Sequence, residues 1–293
     1  MITVKANAKI NLALDVLGKR EDGYHEVKLV MQSIGLADTI WMEPRQVGIE
    51  LEVNTPDLPA DKTNLAYKAA RLFLDVHSMQ NGVSIAIKKR IPLAAGLAGG
   101  SADAAAVLRG MDEMFGTHMT HNDFMRLGAQ LGSDVPFCID GGTMLAEGRG
   151  EKLTRLTELP ACWVVLAKPD VSVSTPWAYN ALDAETEVGQ PDIDGMIDAL
   201  DEGSLRGVIS CIGNVLEPVA VREYPVIGEY IRQMEKHGAL VSRMTGSGST
   251  VFGLFTSARD AEKAAVALMG LTAHVFAVPV KRTPGSIEIS LPY

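Results

Sequence analysis

The residues best suited to chemistry lie in five short stretches of a 293-residue chain. Lys9 and Asn11 stand two apart in "VKANAKINLAL", so an extended strand puts them on one face. "IPLAAGLAGGSADAAAVL" (91–108) gathers Gly96, Gly99 and Gly100 ahead of Ser101 and a run of alanines. Glycines permit positive φ and close approach of a ligand to the backbone. A helix opening near Ser101 would turn unpaired N–H groups and the positive end of its dipole toward an anion. "LGSDVPF" (131–137) sets Asp134 after small residues and before an apolar stretch. A carboxylate there is partly desolvated and fit to accept or orient a hydroxyl proton in phosphoryl transfer. "RMTGSGS" (243–249) is a second glycine–serine loop, able to close over a ligand. Tyr24 and His25 follow the Asp22-Gly23 turn and offer a base one stacking ring and one hydrogen-bonding edge.

Each stretch also has a plainer reading: a tight turn before an alanine-rich helix, an Asp-Val-Pro turn, a hairpin, a solvated strand lysine, a turn packed on the core. The first glycine segment is not a Walker A loop, because no Gly-Lys-Ser/Thr follows, and it lacks the GxGxxG spacing. The net charge of −9 means that an anion would have to be held by local groups. It also argues against nucleic acid or an anionic membrane as partner. Lys9 facing a phosphate and Asp134 would offset the charge on a transferring group.

The elements that must position these residues follow from periodicity. Ile2–Val16 reads as a strand, as do Leu29–Glu43 and Val47–Val53. Asn64–Val76 has helical spacing, Val83–Ile87 alternates, and a helix is expected over Ser101–Met114. Thr120 caps a further helix to Leu131, and residues 141–153 suit a hairpin. Trp163–Ala167, Leu240–Met244, Thr250–Phe255 and His274–Val280 read as strands. Helices are expected around Ile197 and Leu205, over Ile227–His237 and over Ala258–Met269, with an acidic exposed loop at 184–194. Several strands precede the first helix, so the class is α+β.

With 47% apolar and 22% charged residues the chain is ordinary for a globular protein, and its length suits two domains, divided near 155–160. Cys138, Cys162 and Cys211 are scattered, so neither a disulfide framework nor a zinc cluster is indicated, which suits a reducing cytoplasm. No signal peptide opens the chain and no apolar run nears the roughly 20 residues of a membrane span, so a soluble intracellular protein is expected.

In this order the stretches resemble the GHMP kinases, the family of galactokinase, homoserine kinase and mevalonate kinase. "PLAAGLAGGSADAAA" is similar to the family's phosphate motif and "RMTGSGST" to its C-terminal glycine motif. "AKINLALDVLGKREDGYHEV" (8–27) brings the likeness closest to the branch that phosphorylates a cytidine-diphosphate-linked methylerythritol in a non-mevalonate isoprenoid route. The resemblance implies an N-terminal ribosomal-protein-S5-like domain (1–157) and a C-terminal ferredoxin-like domain (158–293) with the active site between them. It implies ATP and Mg²⁺ as cofactors, a small-molecule substrate, and a monomer or homodimer. Lys9 and Asp134 match the catalytic pair. Pro92, Leu93, Ala94, Ala95, Gly96, Leu97, Ala98, Gly99, Gly100, Ser101 and Ala102 match the ATP phosphate cradle, with Ser101 as candidate metal ligand. Asn64 and either Lys88 or Lys89 match the nucleoside pocket. Asn11, Tyr24, His25, Thr175, Tyr179, Thr245, Gly246, Ser247 and Gly248 match substrate positions, with Tyr179 across the base from Tyr24. The alternatives are a family member acting on another small alcohol, such as homoserine or mevalonate, and a non-catalytic nucleotide-binding relative.

Overall fold

The computed structural model describes residues 1–185 and 188–289. Two long strands open the chain, β1 (Ile2–Lys19) and β2 (His25–Arg45), followed by β3 (Ile49–Val53), α1 (Leu65–Val76) and β4 (Gly82–Lys88). Then come α2 (Gly99–Phe115), α3 (His121–Leu131), α4 (Val135–Asp140), β5 (Thr143–Gly148) and β6 (Lys152–Arg155). The second half holds β7 (Trp163–Ala167), α5 (Thr175–Leu182), α6 (Ile193–Asp201), α7 (Leu205–Cys211) and β8 (Gly213–Asn214). It continues with α8 (Glu217–Glu223), α9 (Pro225–Lys236), β9 (Val241–Met244) and β10 (Val251–Phe255). It closes with α10 (Ala258–Leu268), β11 (Val275–Pro279) and β12 (Ile287–Ile289).

Among the described residues the strands form two sheets. The larger runs β12-β1-β2-β4-β3, with β5 and β8 also pairing to β2 and β1 and β6 pairing to β5. The smaller is ordered β11-β7-β10-β9 and is antiparallel throughout. Numbered along the chain, that order is 4-1-3-2, with helices between the first and second and between the third and fourth strands. This is the ferredoxin-like arrangement. The larger sheet lies mostly before residue 157, but β8 and β12 return to β1 from the second half. The chain is therefore laced across the expected division at 157/158 in two places.

Local signals account for many boundaries. Asn64 caps α1 by accepting from the Ala66 N–H at 2.9 Å. Thr120 and Asp123 form a capping box on α3. α2 starts at Gly99, two residues before the expected Ser101, because Ala98 turns the chain in the left-handed region at φ 57°. Its small residues let it lie in the core between the sheet and the other helices. A Cβ at Gly110 would come 2.0 Å from the Met42 methyl and 2.9 Å from a Val4 methyl, so glycine lets α2 seat on β1 and β2 without displacing them. The short α4, α5 and α8 and the strands β8 and β12 carry too little periodicity to be expected from sequence. Residues 186 and 187 of the expected 184–194 loop, and residues 290–293, lie outside the described residues. The loop is shorter than expected, because Asp192 caps α6 by accepting from the Gly195 N–H. Among the described residues no helix is long and apolar enough to cross a membrane.

Candidate active site

β1 is where the site begins. Its burial alternates up to Asn7, as half-buried strands do, and then every residue from Ala8 to Asp15 is buried. The face carrying Lys9 and Asn11 is covered by segments from both halves of the chain. The Lys9 N–H donates to the Leu97 carbonyl of the first glycine loop at 3.2 Å, and the Asn11 N–H donates to Thr245 Oγ1 of the second at 2.9 Å. The ladder with β2 shifts register between Asn7 and Lys9 and again between Asn11 and Ala13. Such irregularities free backbone groups from the sheet and re-aim side chains.

Lys9 Nζ donates to Asn11 Oδ1 at 2.7 Å and stands 3.8 Å from Asp134 Oδ2. The Lys9 side chain is 6% exposed and that of Asp134 33%, so the carboxylate is the open partner. Asp134 sits at the N-cap of α4 yet caps nothing, which leaves its carboxylate to the cavity. Its chain position follows from Gly132, which ends α3, and from Pro136, which fits the first turn of α4.

The two glycine loops meet backbone to backbone. Gly96 (φ +71°) and Gly246 (φ +59°) face each other, and the Thr175 and Ser247 hydroxyls hydrogen-bond at 2.8 Å from α5 to the second loop. Asn214, 8% exposed, braces that loop: its amide donates to the Met244 and Gly246 carbonyls at 2.8 Å each and its oxygen accepts from the Leu216 N–H. Glu217 accepts from the Met244 N–H at 2.6 Å, and burial raises its carboxyl. Neither Asn214 nor Glu217 stood out in the sequence; an isolated Asn before a short helix has no signal of its own.

The surfaces enclose a cavity of about 750 Å³. Ala94, Gly96, Ala98 and Ser101 line one part, Lys9, Asn11, Ser133 and Asp134 the middle, and Tyr24, His25, Arg149, Thr175 and Tyr179 the rest. Gly246, Ser247 and Gly248 close it from the second half. Tyr24 is 55% exposed, and the Arg149 guanidinium lies 5.0 Å from its ring centroid. The His25 and Tyr179 rings are 4.8 Å apart. Burial, with Asp134 adding to it, pushes the Tyr179 hydroxyl up to about 12, so it remains a donor. Arg149, on the turn between β5 and β6, is a cation that sequence reasoning missed because one arginine beside a glycine turn is unremarkable.

Of the expected phosphate cradle, Pro92, Leu93, Ala95, Leu97, Gly99, Gly100 and Ala102 do not line this cavity, and Ala95, Leu97 and Ala102 are buried, as is Thr245 of the second loop. The three residues expected at the nucleoside also lie outside it. Asn64 is buried and engaged as a helix cap, and Lys88 is exposed at the end of β4. Lys89 corrects the expectation most clearly. Its side chain is 5% exposed, and its ammonium lies 2.5 Å from Asp38 and 2.6 Å from Asp103, both fully buried. Asp38 also accepts from the Arg90 and Ile91 N–H groups, so the cluster fastens the segment between β4 and the first glycine loop to the first turns of α2. Burial would lower the Lys89 ammonium, but the two carboxyls beside it raise it on balance. Burial pushes Asp103 up to about 8.

Two glycine loops and a lysine–carboxylate pair line one cavity between two sheets, an arrangement suited to a small-molecule phosphotransferase. The chain matches the GHMP kinase N-terminal domain over residues 64–142 and the GHMP kinase C-terminal domain over 196–270, and it belongs to the GHMP kinase family, which uses ATP. It is 48% identical over 260 residues to 4-diphosphocytidyl-2-C-methyl-D-erythritol kinase of Acetivibrio thermocellus, covering 89% of this chain and 92% of that protein. It is 46% identical to the enzyme of the same name from a Geobacillus species, covering 95% and 96%. A crystal structure of 4-(cytidine 5'-diphospho)-2C-methyl-D-erythritol kinase superposes with a TM-score of 0.82 at 36% identity, over 95% of this chain and 98% of that one. Homoserine kinase from Cytophaga hutchinsonii, at 19% identity and TM-score 0.73, shares the fold.

Proposed function

We propose that this kinase transfers the γ-phosphoryl group of ATP to the 2-hydroxyl of 4-diphosphocytidyl-2-C-methyl-D-erythritol. The observation that carries the reading is the continuity of one cavity from the phosphate loop, past Lys9 and Asp134, to Tyr24, His25 and Tyr179. A cytidine diphosphate needs such a course: a base slot at one end and its alcohol at the carboxylate.

The α2 N-terminus and the backbone of residues 92–102 hold the ATP phosphates through N–H groups. Lys88 is the exposed one of the two candidate lysines for the nucleoside. Asp134 accepts the hydrogen bond of the substrate hydroxyl and takes its proton as the oxygen–phosphorus bond forms and the β–γ bridge breaks to release ADP. Lys9 stands beside Asp134 and offsets charge on the transferring group, and Asn11 fixes the Lys9 ammonium. Tyr24 and Tyr179 stack on the base, and His25 reads its edge. Ser101 lines the cavity and its hydroxyl has no hydrogen-bond partner among the described residues, which suits an oxygen ligand of Mg²⁺. When bound, Mg²⁺ supplies charge neutralisation on the ATP oxygens. The free thiols of Cys138, Cys162 and Cys211 suit a cytoplasmic setting.

Purified protein with Mg-ATP and the cytidyl substrate should release ADP, and CDP should compete. ADP release no greater than the substrate-free background would overturn the reading. Turnover of homoserine or mevalonate without competition by CDP would transfer it to another alcohol.

A further inference from the structure

His25 is held from behind by the other half of the chain. Its Nε2 lies 2.8 Å from Asp183 Oδ1, and the second oxygen of that carboxylate accepts from Lys19 Nζ at 2.9 Å. Lys19 and His25 are cross-strand partners in the β1–β2 hairpin, and Asp183 immediately follows α5, the helix that carries Tyr179. One carboxylate therefore ties both strands of the hairpin to the element on the far side of the base slot. The His25 side chain is 8% exposed and its ring packs on Tyr179, so the imidazole has little freedom to turn.

Lys19 and then His25 hold the Asp183 carboxyl below the usual carboxylate range. An ionised carboxylate only accepts hydrogen bonds, so the proton in the contact belongs to Nε2. A neutral imidazole protonated at Nε2 carries its lone pair on Nδ1. Nδ1 has no hydrogen-bond partner among the described residues. In the neutral ring it is free to accept a hydrogen bond.

We propose that Asp183, acting through the His25 ring, is the positioning residue that makes this site select cytosine over uracil. Cytosine carries an exocyclic amine, a donor, where uracil carries a keto oxygen. An Nδ1 acceptor pairs with the amine and opposes the oxygen, and a base that leaves polar groups unpaired in an enclosed slot is rejected strongly. If the ring could exchange tautomers, Nδ1–H would pair with the keto oxygen instead and the discrimination would vanish. Asp183 touches no substrate in this scheme; it sets which nitrogen carries the proton. The inference rests on the cytidyl reading above.

Two measurements on the full chain test it. Competition binding of CDP and UDP is compared in wild type, Asp183→Asn and Asp183→Ala. Wild type should favour CDP by about tenfold or more, and both variants should narrow the ratio to about threefold. KM for the cytidyl substrate should rise in the variants, whereas kcat at saturation and KM for ATP should stay within about threefold of wild type, since ATP binds at the other end of the cavity. Nitrogen-15 NMR of histidine-labelled protein, with His25→Gln to assign the signal, should show His25 protonated at Nε2 and bare at Nδ1, with Asp183→Ala mixing the tautomers. A CDP-to-UDP ratio that survives in both variants, or a wild-type His25 protonated at Nδ1, overturns the inference and leaves the cytidyl reading standing. Wild-type protein that binds CDP no better than UDP overturns both.

Discussion

A Cβ placed on Gly96 would stand 2.4 Å from the carbonyl oxygen of Thr245. The first glycine loop and the second are thus in backbone contact, and no side chain fits between them. Gly96 also lies at φ +71°, where a side chain adds about 1–2 kcal/mol of strain. Gly96→Ala should force the loops apart, raise KM for ATP and lower the melting temperature. ATP kinetics and melting equal to wild type would show that the contact is dispensable.

Lys9 and Asp134 face each other at 3.8 Å in the cavity, and under the proposed reaction each should be needed for the chemical step more than for binding. Lys9→Ala and Asp134→Ala are expected to lower kcat on the order of 10²–10⁴-fold. Circular dichroism should stay native, and CDP should still bind, because Tyr24, His25 and Tyr179, proposed to hold the base, keep their places in the cavity lining. A variant with near-normal turnover would remove its residue from the reaction.

Asn214 reaches two carbonyls of the second glycine loop at once. Asn214→Ala should leave both buried acceptors without partners, at about 1–3 kcal/mol each, and lower both stability and activity. Asn214→Asp should be worse than its near-identical shape suggests, since it sets a carboxylate oxygen against the Met244 and Gly246 carbonyls. Thermal melts of the two variants check the order; an Asp variant as stable as wild type would refute this account of the bracket.

Asp103 gives the stability a pH dependence of definite sign. Burial raises its carboxyl from 3.8 to about 8, so between those values the folded state keeps a proton that the unfolded chain releases. Stability from this group is complete below pH 3.8 and is lost as pH rises toward 8. Asp103→Asn, which mimics the protonated acid, should be tolerated and should flatten denaturation midpoints over that range. Lys89→Met should destabilise strongly, because it leaves two buried carboxyls without their cation. Parallel pH slopes for wild type and Asp103→Asn would count against the assignment.

Much of this was legible in the chain. Asn64 and Thr120 announce helix starts because capping is settled within three or four residues. Gly96, Ser101, Asp134 and the 245–248 loop stand out because their residue types suit backbone approach and proton transfer wherever they occur. Lys88 and Lys89 show the limit. They are neighbours of the same type, and only the burial of Asp38 and Asp103, distant in sequence, draws one ammonium into the core and leaves the other residue exposed. Asp183, Asn214 and Arg149 went unnoticed because their partners lie on other elements.

By itself, then, the sequence determined the kinds of element, the two glycine loops and the residue types able to transfer a phosphoryl group, since these depend on hydrophobic period, capping and backbone freedom over a few residues. The tertiary structure alone decided that the Lys9 face of β1 is buried, that Gly96 meets Thr245, and that Asp183 holds His25. Those outcomes depend on which distant surfaces exclude water from each other, and no local pattern encodes that.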